Sequence, residues 1–148
     1  LEQIIWLSEE KNVRTGVQRH GERRLENIKT IFFDTYAFYE LIAENANYRP
    51  FVKGFSVITT KLNLMELHYG LLVKYGKGVA DAYYYELLKF AVDISDDTII
   101  KANEFRAFAK KGLSYVDCIG YVLALENNLK FLTGDREFKE MGNVEFVQ

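Results

Sequence analysis

From residue 30 onward, apolar residues fall into two alternating patterns: short β-prone runs, and longer stretches with apolar positions three and four apart. The runs at 30–33, 55–59, 90–94, 130–133 and 144–147 predict five strands. Between them, helical spacing predicts helices over 35–44, 62–75 and 79–89, from Ser95 or Asp96 to about 110, and over 114–128. Segment 45–54 holds the only proline, Pro50, and reads as a short helix or a loop. Strands that are bare apolar runs, alternating with helices, belong to a parallel sheet covered on both faces. The pattern therefore predicts an α/β fold, a three-layer α/β/α sandwich around a central parallel sheet of about five short strands. In such sheets ligands gather just beyond the carboxyl ends of the strands.

Residues 1–29 differ. Ile4, Ile5, Trp6 and Leu7 form a short apolar cluster, and a mostly polar stretch with Gly16 and Gly21 follows. This reads as an arm, or a helix plus linker, ahead of one domain over 30–148. The 148 residues suit a single domain. The net charge of −2 divides into +1 for 1–29 (six basic, five acidic) and −3 for 30–148 (thirteen basic, sixteen acidic). That balance excludes the strongly basic kind of nucleic-acid binder. It remains compatible with a polyanionic substrate if cations fill an acidic pocket. Cys118 is the only cysteine, which excludes an intrachain disulfide and fits a reducing cytoplasm. No apolar run approaches the roughly 18 residues of a membrane helix.

Four acids stand out by position. Asp34 directly follows the first strand, Asp135 lies two residues past Thr133, and Asp117 opens the helix over 114–128. Each has a plain structural reading as a helix cap, and Ser114 to Asp117 resembles a capping box with Asp in place of Glu. Glu66 fits that reading least well. The 62–75 stretch is apolar almost all round, which predicts a buried helix. Glu66 would share a stripe there with Leu62, Tyr69 and Val73, with no Lys or Arg three or four residues away. A buried carboxylate costs several kcal/mol unless it is protonated, paired or metal-bound. Two like charges about 4 Å apart cost ~4 kcal/mol at an effective dielectric near 20. Should the four acids converge, the cluster persists by raised pKa values or by binding cations. All-oxygen ligation suits Mg²⁺ or Mn²⁺, whereas the scattered His20, His68 and Cys118 supply no zinc set.

In order along the chain, Ile31-Phe-Phe-Asp34-Thr35, Ile58-Thr-Thr60 with Leu64-Met-Glu66-Leu-His-Tyr-Gly70, Leu113-Ser-Tyr-Val-Asp117 running to Ala124, and Phe131-Leu-Thr-Gly-Asp135 running to Phe138 resemble a PIN domain. That is the fold of VapC-type toxin ribonucleases, and the resemblance covers about residues 30–148. It implies that Asp34, Glu66 and Asp117 hold a divalent metal, that Asp135 completes the site, and that Thr133 supports the cluster. It further implies an RNA substrate, a small antitoxin partner and a homodimer. Tyr115 departs from the pattern, standing where a small residue is common, and so does Cys118, where Ala is frequent. Residues 1–29 have no counterpart in a minimal PIN domain.

The chemistry expected of such a site is metal-assisted phosphodiester hydrolysis. Arg49, Lys53, Lys61, Arg106, Lys110, Lys111 and Arg136 are the candidate phosphate contacts, with Arg49, Lys61 and Arg136 foremost; Tyr36 and Tyr39 are candidates for base stacking. Other readings fit less well. A haloacid-dehalogenase-like phosphatase needs a second Asp two residues after the first, where Tyr36 stands. Gly76-Lys-Gly78 is too short for a phosphate-binding loop. An RNA-processing nuclease without an antitoxin and a non-catalytic PIN-fold binding module complete the alternatives. For the last, retaining four mutually repelling acids has no evident purpose.

Overall fold

The computed structural model describes residues 29–109 and 112–148. The arm over 1–29 therefore lies outside the described residues, except for Lys29, and so do Lys110 and Lys111. Five strands, β1 (Lys29–Phe33), β2 (Phe55–Thr60), β3 (Ala91–Val92), β4 (Lys130–Thr133) and β5 (Val144–Phe146), form one sheet in the order β3-β2-β1-β4-β5. Every pairing is parallel. The helices are α1 (Thr35–Ile42), α2 (Arg49–Gly54), α3 (Lys61–Tyr75), α4 (Lys77–Leu87), α5 (Asp96–Ala109) and α6 (Tyr115–Glu126), with single 3₁₀ turns at Ala46–Tyr48, Leu88–Phe90 and Arg136–Phe138.

The period-two alternation of β1 builds both faces of the sheet. Ile31 and Phe33 enter a core with Phe38, Leu64, Leu67, Leu71 and Leu87 from α1, α3 and α4. Phe32 points the other way, into a core with Cys118, Ile119, Val122, Phe131 and Phe138 beneath α5 and α6. Aromatic rings dominate this second layer: Phe32 stacks on Phe131 at 5.5 Å, and Phe131 lies 4.8 Å from Phe138. Six of the eleven phenylalanines, Phe32, Phe33, Phe38, Phe90, Phe131 and Phe138, are buried in these two layers.

Two expectations need correction. The third strand is two residues long rather than five, because Phe90 closes a 3₁₀ turn into the first core and the Ser95 hydroxyl already caps α5 through Thr98 N at 3.1 Å. The 62–75 helix is not buried all round. Met65, Tyr69 and Val73 of α3 are exposed, because the sheet and α4 cover only the Leu64, Leu67 and Leu71 side. A helix richly apolar on every face lies here at the surface.

Candidate metal centre

Parallel strands place their carboxyl ends along one edge, and the loops leaving that edge carry the acids. Asp34 leaves β1 as the N-cap of α1, its Oδ1 accepting from Thr35 N at 2.7 Å. Asp117 is the third residue of α6 and closes a capping box. Its Oδ2 accepts from Ser114 N at 2.7 Å and its own N donates to Ser114 Oγ at 3.1 Å. Asp135 caps the 3₁₀ turn after β4 through Glu137 N at 2.9 Å. The plain reading of these three acids as caps is therefore correct, and it does not exhaust what they do.

Asp34 is only 2% exposed, and both its oxygens are held by neutral donors. Oδ1 also accepts from Asn63 Nδ2 at 3.3 Å, and Oδ2 accepts from Thr133 Oγ1 at 2.8 Å. Glu66, half-buried in the second turn of α3, accepts from Thr35 Oγ1 at 3.0 Å, and the nearby Ser114 hydroxyl favours its charged form. Asn63 Nδ2 reaches Thr35 Oγ1 at 3.2 Å, and its Oδ1 accepts from Thr60 Oγ1 at 2.7 Å. A relay of hydroxyl and amide groups thus runs from Thr133 through Asp34, Asn63 and Thr35 to Glu66, and Ser114, bonded to Asp117, stands near Glu66 at its end. All the donors in it are neutral.

The electrostatics follow. Burial pushes the Asp34 carboxyl up to about 7, and the charges of Asp117 and Glu66 push the same way against the hydrogen bonds from Thr133 and Thr35. Glu66 is also raised, first by burial and further by Asp117. None of the ion pairs among the described residues involves Asp34, Glu66, Asp117 or Asp135.

Asp135 stands apart from this trio. Its backbone N donates to Thr133 Oγ1 at 3.1 Å, so one hydroxyl ties it to Asp34, while its charge is felt at Tyr36 beside Arg136. Gly134 makes that turn possible, since an added Cβ would meet Tyr36 and the Val147 carbonyl oxygen at 2.4 and 2.5 Å. The donor set is all oxygen, as a hard divalent cation requires. Among the described residues, no three Asp, Glu, His or Cys side chains are gathered tightly enough to form a metal cage as they stand. The set fits such an ion in chemistry and uncompensated charge, and closing on it requires the carboxylates to draw in.

The proposed cations are placed unequally. Lys61 and Arg136 are exposed and open the elements that follow β2 and β4, at the same edge as the acids. Arg49 opens α2, which leads into the start of β2, and is exposed. Arg106 donates from Nε to the Leu113 carbonyl at 3.1 Å, spanning the α5–α6 connection. Tyr39 is not available for stacking. Its hydroxyl donates to the Glu66 and Leu67 carbonyls, passing so close to Gly70 that a Cβ there would lie 1.6 Å from the oxygen. Tyr36 remains partly exposed. Cys118 is a buried core residue whose thiol is pushed up to about 11 by burial and by Asp117. Sequence reasoning overlooked Asn63, fully buried at the centre of the relay. Its one signal was the spacing Thr60 to Asn63, a cap hydroxyl with an amide three residues on.

A five-stranded parallel sheet with Asp34, Glu66, Asp117 and Asp135 placed about its carboxyl edge defines an α/β protein whose acids lie on one side of the sheet. The PIN domain family model matches residues 31–144, and the chain belongs to that family. Among solved structures it is similar to VapC20 of Mycobacterium tuberculosis, a sarcin-ricin loop cleaving toxin, at 21% identity and TM-score 0.67 over 80% of this chain and 97% of that one. It is also similar to a toxin–antitoxin complex from Klebsiella pneumoniae (18%, TM-score 0.63, 78% and 96%). A third likeness is to VapBC2 of Rickettsia felis bound to a promoter DNA fragment (17%, TM-score 0.62, 80% and 97%). No curated protein matches the sequence.

Proposed function

We propose that the chain is a divalent-metal-dependent endoribonuclease and the toxin of a VapBC-type toxin–antitoxin pair. The observation that carries this is the set of neutral donors that hold Asp34, Glu66 and Asp117, none of which meets a lysine or arginine among the described residues. Elsewhere Asp81, Glu86 and Glu126 do meet a lysine or histidine, so the fold supplies such partners where an acid is only tied to the surface. Asp34, Glu66 and Asp117 would hold Mg²⁺ or Mn²⁺, with Asp135 completing the set from the β4 side. Such an ion supplies charge neutralisation at the scissile phosphate and lowers the pKa of a bound water. Asp34 would lose its carboxyl proton on holding such an ion, with Thr133 and Asn63 keeping its oxygens aimed. Asp117 or Asp135 would accept the proton of the water that bonds phosphorus, while the P–O bond to the leaving ribose oxygen breaks and that oxygen takes a proton from solvent. Lys61 and Arg136 meet the flanking phosphates, and Arg49 is a further contact.

The toxin reading is supported by neighbours that are themselves toxins or toxin–antitoxin complexes. The outward-facing Met65, Tyr69 and Val73 of α3 support a protein interface, for an antitoxin or for a homodimer. The decisive experiment is Mn²⁺-dependent cleavage of single-stranded RNA by wild type, Asp34→Asn and Asp117→Asn. We expect cleavage by wild type, its loss in EDTA, and its loss in both variants at unchanged circular dichroism. Undiminished cleavage by well-folded variants removes these acids from the mechanism.

A further inference from the structure

At the rim of the site, on the side of α5, Tyr115 is 62% exposed, yet its ring is held: the Arg106 guanidinium lies over it at 4.2 Å. Arg106 is itself anchored by its Nε bond to the Leu113 carbonyl. The pair is therefore a plate fixed at two points, one face covered by the guanidinium. It stands at the start of the element that carries Asp117. Tyr115 follows Ser114, which bonds Asp117 and lies near enough to Glu66 to act on its charge, and the charges of Arg106 and Asp117 both act on Cys118. Holding an aromatic ring rigid in water costs side-chain entropy with little burial to offset it. A flat, preorganised π-surface beside a cation is what a splayed nucleobase stacks on. Tyr36, beside Asp135 and Arg136, stands among the residues that follow β1 and β4.

We propose that Tyr115, held by Arg106, is the platform on which one unpaired base of the RNA stacks, so that the adjoining phosphate is presented to Asp117 and Glu66. This rests on the nuclease reading above and adds to it a residue that recognises single strands by their bases. Tyr115 is a positioning residue: it touches a flanking base and not the reacting phosphate.

The test pairs Tyr115→Ala and Tyr115→Trp with RNA oligonucleotides carrying an abasic nucleotide at each position around the mapped cut. Tyr115→Ala is expected to raise KM about tenfold with kcat nearly unchanged, and Tyr115→Trp to restore it. At one position the abasic substitution should weaken wild type but not Tyr115→Ala, a loss of additivity that a merely structural tyrosine would not produce. Additive effects at every position, or a fall in kcat with no change in KM, overturn the platform. Binding of a 2-aminopurine oligonucleotide, read by quenching, separates the two hypotheses. If wild type cleaves no RNA but Tyr115 quenches the base, the nuclease reading fails alone. If wild type cleaves and Tyr115→Ala quenches and cleaves equally well, the platform fails alone.

Discussion

Two acids at the carboxyl edge of the sheet, Asp34 and Glu66, and two on the outer helices, Asp81 and Glu126, are treated in opposite ways. On the outside, Asp81 of α4 pairs with His68 at 3.0 Å and with Lys77, and its carboxyl is held below the usual range by those two groups. Glu126 of α6 pairs with Lys101 at 2.6 Å and accepts from Thr98, and it too is lowered. At the sheet edge, Asp34 and Glu66 are raised, and their partners are hydroxyls, amides and backbone N–H groups. Among the described residues, Asp81 and Glu126 thus meet lysine or histidine, whereas Asp34 and Glu66 are held by neutral donors and stay harder to ionise. The difference is between a carboxylate stabilised in its charged form and one that burial works against.

The largest effect that sharpens this contrast is on activity. Asp34→Asn or Asp117→Asn should lower Mn²⁺-dependent RNA cleavage by more than about 100-fold, read from initial rates, with the far-ultraviolet spectrum intact. Breaking the relay instead of an acid comes next. Asn63→Ala and Thr133→Val should each cost roughly 10–100-fold in activity or metal affinity, and on the order of 2 kcal/mol in a denaturant titration, because each leaves buried polar groups unpartnered.

A third prediction concerns pH. Asp34 is harder to ionise in the folded protein (about 7) than in the unfolded chain (about 4). Its contribution to stability is therefore fully present below pH 4 and is lost as pH rises through 7. In EDTA, the melting temperature of wild type relative to Asp34→Asn should fall between pH 4 and pH 7 and level off above. A relative melting temperature that rises over that range contradicts the sign. The smallest effect belongs to the outer acids. Lys101→Ala should leave both cleavage and the melting temperature within experimental error, because an exposed ion pair contributes little.

Much of the site was legible one residue at a time. Asp34, Asp117 and Asp135 are visible because helix starts follow strand ends, and Thr133 because it closes the fourth strand. Glu66 was singled out for a reason that only half holds. Its carboxyl is half-buried and beside another acid, but the helix around it is open to solvent at Met65, Tyr69 and Val73. An all-round apolar pattern marks burial only when something lies on every side, and among the described residues Leu64, Leu67 and Leu71 mark the covered side of α3. Tyr39 was misplaced as a base-stacking residue because helical spacing does not reveal that its hydroxyl reaches across Gly70 to the carbonyls of α3.

By itself the amino-acid sequence determined the element order, the parallel sheet and the supply of carboxylates, because hydrophobic periodicity and cap chemistry are local properties of a chain. Only the tertiary structure decided that the acids following β1, in α3 and in α6 are met by neutral donors, with no lysine or arginine paired to them among the described residues. Asn63, Thr35 and Ser114 acquire that role from neighbours 28 to 48 positions away, across loops that local pattern does not fold.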